Sequence, residues 1–149
     1  MSKKYFTGNS LNHLQFMLEV FLLSSVFGLK EINVKAQQPK KWIAPQEADA
    51  VKNPLNGKAA ATAKGKTEFV KTCLPCHGTK GKGDGPAGIN LKPRPQDLMS
   101  AAVQEQSDGA IFWKITEGRA PMASYKTTFT VEQRWQLVNY LRQLKAEAK

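Results

Sequence analysis

Apolar positions recur with helical spacing most clearly near the end of the chain. Trp135, Val138 and Leu141, joined by Leu137, Tyr140 and Leu144, draw a broad apolar face on a helix running to about Ala146. Thr130 supplies its N-cap, and Gln133, three residues on, completes a capping box. Upstream, Ser107 caps a predicted helix through Thr116, with Ile111, Phe112 and Ile115 facing inward and Gly118 ending it. A short helix is expected over Asp97 to Gln104. A first helix from near Ala61 to Thr72 delivers Cys73 at its end, with Gly65 and Phe69 four apart on one face. A glycine inside a helix costs about 1 kcal/mol against alanine, so another helix backbone is expected to approach Gly65 closely. No internal repeat and no strand pattern longer than a few residues interrupts this series. The pattern predicts a small all-α fold of roughly three to five helices.

Ahead of the first helix the pattern breaks down. From Gln37 to about Ala60 the chain reads as an extended arm, because Pro39, Pro45 and Pro54 interrupt any helix and Asn56-Gly57 signals a turn. Trp42 and Ile43 are expected to fold back on the domain surface. Residues 1–36 have the pattern of a secretory leader. Lys3 and Lys4 form its basic start, Val20 to Leu29 its apolar run, and Val34-Lys35-Ala36 a cleavage site, with the cut after Ala36. The run is short for a membrane span. Glu19 makes the leader imperfect, and an uncleaved anchor is the alternative, since Leu14 to Leu29 is apolar apart from a few breaks. This leaves residues 61–149 as one domain, as a length of 149 residues allows.

An apolar fraction of 41% suits a packed core, and the net charge of +10 narrows the partners. Nucleic acid is the first thought for so basic a chain. The lysines are scattered, however, and not interleaved with aromatics, and an exported protein seldom meets nucleic acid. An acidic protein partner steered by the field is the better reading, beside the plain one that lysines keep a surface solvated.

The chemistry lies in Cys73-Leu74-Pro75-Cys76-His77, the c-type haem attachment pattern. Each thiol adds across one haem vinyl group, and the histidine that follows offers an imidazole nitrogen to the iron. A dithiol redox site should accompany a βαβ pattern, which is missing. Zinc needs four ligands, whereas the chain has two cysteines and two histidines, and His13 belongs to the leader. A disulfide would close a very short loop. The glycine-rich stretch after His77 lacks the ending of a phosphate loop and follows no strand; its glycines are expected to let the chain turn tightly against a flat macrocycle. The Pro86 carbonyl is positioned to accept from the second imidazole nitrogen. Met122, in a loop before the last helix, is the candidate distal ligand, and methionine there raises the haem potential. Met99, in a helical context, is its rival. Arg94 is a candidate propionate contact or a plain exposed arginine. Trp113 lies along a haem edge or packs in the core.

Taken together, these residues resemble a class I cytochrome c over roughly residues 60 to 146. The resemblance rests on Cys73, Cys76 and His77, on Gly65 with Phe69, on Gly85-Pro86, on Met122, and on the closing helix with Leu137 and Tyr140. It implies that the first and last helices cross, with Gly65 and Phe69 meeting Tyr140. The Gly83–Gly88 loop and the Phe112–Gly118 stretch look most like single-haem domains that accompany bacterial respiratory complexes. Many of those place proline directly after the methionine ligand; here Pro121 precedes it and Ala123 follows. The resemblance implies one covalent haem c and a periplasmic one-electron carrier with no catalytic activity of its own. Lys71, Lys80, Lys82 and Lys126 would ring its haem edge to meet acidic redox partners. It would touch a membrane only through a partner complex or an uncleaved leader. Two alternatives stay open: a haem subunit of an oxidoreductase complex, and a ligand-binding or peroxidatic haem protein. No His, Arg and acid constellation for peroxide cleavage is apparent.

Overall fold

The computed structural model describes residues 41–147; the leader expectation, its cut after Ala36 and His13 lie outside them. Its core is built on the last helix, here α6 (Val131–Glu147), with α1 (Gln46–Asp49), α2 (Ala59–Glu68), α3 (Leu74–His77), α4 (Ala101–Gln104) and α5 (Asp108–Glu117) ahead of it. The capping box forms: Thr130 N–H donates to Gln133 Oε1 at 2.9 Å, and Gln133 N–H to Thr130 Oγ1 at 3.1 Å. Trp135, Leu137, Val138, Tyr140, Leu141 and Leu144 are all buried, so the predicted apolar face is the observed one.

α2 crosses α6 with the two backbones in contact. A Cβ added at Gly65 would lie 1.9 Å from the Gln136 carbonyl oxygen, which is why a glycine sits in mid-helix despite its cost. One turn further on, Phe69 rests against Tyr140 with ring centroids 5.2 Å apart. The predicted first helix does not run on unbroken to Thr72. Phe69–Cys73 widens into a π-helical turn before α3 begins. A wider turn rotates everything after it relative to a continuous α-helix, so it decides which way Cys73 and the residues beyond it face.

α5 starts and ends as predicted. Ser107 Oγ accepts from Ala110 N–H at 3.0 Å, and Gly118 closes the helix at φ +65°. Ile111 and Ile115 are buried, and Phe112 stacks on Trp135 at 4.0 Å. α4 is shorter than predicted, because Asp97 caps a turn instead of entering the helix: its Oδ1 accepts from Met99 N–H at 2.8 Å.

The stretch read as a structureless arm needs correction. It holds α1, with Pro45 at the N-cap, a place where proline starts a helix instead of breaking one. The segment is then pinned to the domain by polar contacts. Ser107 Oγ donates to Asp49 at 2.6 Å, Asn53 Nδ2 to Asn139 at 2.7 Å, and Asn139 Nδ2 to the Leu55 carbonyl at 2.6 Å. Trp42 does fold back, edge-on to Trp113 at 6.5 Å. Among the described residues there is no strand, and a lone bridge joins Arg119 and Met122.

Candidate cofactor site

Cys73 closes the π-helical turn, and Cys76 and His77 sit in α3, all three half-buried. Pro75 falls in the first turn of α3, where its missing N–H has no intrahelical partner to lose. A four-residue helix leaves every carbonyl open, and the loop that follows fills all four. Gly78 N–H donates to Leu74 at 2.8 Å, Ala87 to Pro75 at 2.9 Å, Gly85 to Cys76 at 3.2 Å and Gly83 to His77 at 2.8 Å. A Cβ added at Gly85 would lie 2.4 Å from the Pro75 oxygen. The glycines therefore have a nearer reason than the flat macrocycle expected from the sequence: they bring the loop backbone down onto the attachment motif.

Both cysteines are free thiols. Burial, then Cys76 and Glu68, push the Cys73 thiol up to about 12. A dithiol redox centre needs the opposite, a depressed thiol. Burial also lowers the His77 pKa, with the Gln96 backbone partly opposing it, and favours the neutral ring that can ligate a metal. His77 Nδ1 is the one buried side-chain nitrogen or oxygen among the described residues without a hydrogen-bond partner. The bond expected from this ring to the Pro86 carbonyl is not made; Pro86 is exposed, while the amides of Gly85 and Ala87 on either side turn to α3. Among the described residues, no group of three or more His, Cys, Asp or Glu is placed to hold a metal by itself. Two half-buried thiols three apart and a neutral, under-satisfied imidazole do fit a haem of the c type.

Met122 lies in the loop that leaves α5 at Gly118. Arg119 N–H donates to its carbonyl at 3.0 Å and Met122 N–H returns to Arg119 at 2.9 Å, across a cis Ala120–Pro121 bond. Both Met122 and Met99 are half-buried, and Met99 packs against the main apolar core, as Cys73, Leu74 and Tyr125 also do. Tyr125, three residues past Met122, was missed by sequence reasoning and has no motif to announce it. Its phenol is pushed up by burial and then by Cys73 and Cys76, and its ring packs against the same apolar core as Cys73 and Leu74. Neither Arg94 nor Trp113 is joined to Cys73, Cys76 or His77 by any hydrogen bond or ring contact among the described residues. Arg94 is exposed, and Trp113 meets Trp42, over whose ring Lys114 and Arg119 lie at 5.5 and 5.1 Å. Lys71, Lys80, Lys82 and Lys126 are exposed.

The family described as cytochrome C oxidase, cbb3-type, subunit III matches residues 60–141. No curated protein matches the chain. A chain of the reducing HAO-like protein complex of Kuenenia stuttgartiensis is similar in structure, with a TM-score of 0.55 and 25% identity. The similarity covers 63% of this chain and 49% of that one, so the present chain spans about half the length of that relative. Among the described residues, no helix is long and apolar enough to cross a membrane.

Proposed function

The chain belongs to the cytochrome C oxidase, cbb3-type, subunit III family, its matched span being a c-type cytochrome domain, and from that premise we propose that it is a periplasmic single-haem one-electron carrier of a respiratory chain. Haem c, when bound, supplies the one-electron chemistry. Cys73 and Cys76 would hold it through thioethers, and His77 and Met122 would supply the imidazole nitrogen and the sulfur that ligate its iron. The π-helical turn carries Cys73 to the start of α3, and α3, clamped by the glycine loop, carries Cys76 and His77. Cys73 and Leu74 pack against the main apolar core, which covers one side of the attachment motif. The observation that carries this reading is the half-buried thiol pair beside an imidazole whose Nδ1 is buried and unpartnered.

A second reading is that the domain is a fixed haem subunit of a larger complex. It is supported by the family's description as an oxidase subunit and by a structural relative that is itself a chain of a complex. The test is to mature the full chain with the c-type assembly machinery and run it on a denaturing gel. Haem should stay with the wild-type band and leave it in the Cys73→Ser, Cys76→Ser double variant; a colourless wild-type protein ends the proposal. A purified monomer that exchanges electrons in solution favours the carrier, and obligate co-purification with partner subunits favours the second reading.

A further inference from the structure

Arg134 is only 6% exposed, and no carboxylate pairs with it among the described residues. A buried cation without a counter-charge is costly, so its neighbours must compensate. They are the Thr130 carbonyl, which accepts from Arg134 Nε at 3.4 Å, and the C-terminal half of α5. Arg134 Nη1 donates to Thr116 Oγ1 at 2.7 Å, and its guanidinium carbon lies 5.0 Å from the centre of the Phe112 ring. The C-terminal end of a helix carries partial negative charge, and an aromatic face attracts a cation; together these stand in for the missing acid. Thr116 Oγ1 in turn donates to the Phe112 carbonyl at 2.8 Å, so its single hydrogen is engaged and its orientation fixed.

The same end of α5 is where the Met122 loop hangs. Gly118 N–H donates to the Lys114 carbonyl at 2.9 Å and Tyr125 N–H to Ile115 at 3.2 Å. Ser124 Oγ donates to the Thr116 carbonyl at 2.6 Å. Thr116 thus receives the loop on its backbone and α6 on its side chain. We infer that Arg134 is a positioning residue: by holding Thr116 from α6, it fixes the turn that suspends Met122 and so keeps the thioether sulfur on the iron. This rests on the reading that Met122 is the distal ligand.

The experiment uses the mature full-chain holoprotein with Arg134→Met, Thr116→Val and Arg134→Lys. In Arg134→Met, the weak far-red sulfur-to-iron absorption of the oxidised form should fade. The reduced form should take up carbon monoxide more readily, and the midpoint potential should fall. Amide exchange at Met122 and Tyr125 should quicken by about tenfold or more, as loss of a buried charged hydrogen bond implies. Thr116→Val should move the same readouts, and Arg134→Lys should recover part of them by keeping charge and one donor. Ser124→Ala, at an exposed position, weakens the suspension from the loop side and serves if Arg134→Met fails to fold. If the far-red band, carbon monoxide uptake and potential stay unchanged in the folded Arg134 and Ser124 variants, the proposal is overturned by itself. If the unsubstituted protein lacks the band, the ligand reading falls and takes this proposal with it.

Discussion

The loop after His77 and the loop around Met122 are both tied to a helix end, but by different bonds. After His77, four main-chain amides meet the four carbonyls of α3, and no side chain takes part. Around Met122, the last turn of α5 receives two amides and one serine hydroxyl, and a side chain from α6 braces it from behind. Main-chain clamps tolerate almost any side chain except where the backbones touch, and there only glycine fits. Side-chain braces can be weakened one atom at a time without dismantling the fold. The turn onto α3 thus leaves little room for substitution at its glycines, whereas the Met122 loop can be loosened by changing single side chains.

That contrast can be broken most directly at Gly85. Gly85→Ala places a Cβ 2.4 Å from the Pro75 oxygen, a backbone clash that no rotamer relieves. It should cost about 3 kcal/mol or more of stability, read in denaturant melts; an unshifted midpoint would mean that the main-chain clamp is dispensable. Met122→Ala comes next. Because Met122 is half-buried and outside the main core, the loss of stability should stay below about 2 kcal/mol. The far-red band should nevertheless vanish, and its survival would move the ligand to Met99. The smallest effects belong to the lysines. Lys80→Glu and Lys82→Glu on the glycine loop, set against Lys126→Glu on the methionine loop, should each change stability by no more than about 0.5 kcal/mol. Lys126 pairs with Glu117 at 3.7 Å, but both are exposed, so that pair contributes little. Transfer to an acidic partner should slow and lose part of its salt dependence, more for whichever loop faces that partner. A salt slope identical in all three would remove the steering role.

Much of this was visible in advance where a local rule speaks for itself. The face of α6 follows from a period, its start from a capping box, and the crossing at Gly65 from the cost of a glycine that had to be explained. α1 was hidden because proline reads as a breaker until one knows that it stands at a helix start. The π-helical turn leaves no trace in spacing. Tyr125 and Arg134 escaped for a different reason: each matters through neighbours distant in the chain, Tyr125 beside Cys73 and Cys76 and Arg134 against Thr116.

The order of residues alone thus announced the Cys73–His77 motif, the helical class and the buried face of the last helix, because these depend on neighbours within a turn or two. Tertiary structure decided what presses on α3, which side chains pack on the main core, and what holds the loop that carries Met122. Those outcomes turn on contacts between segments tens of residues apart, and burial and hydrogen-bond partners exist only once such segments have met.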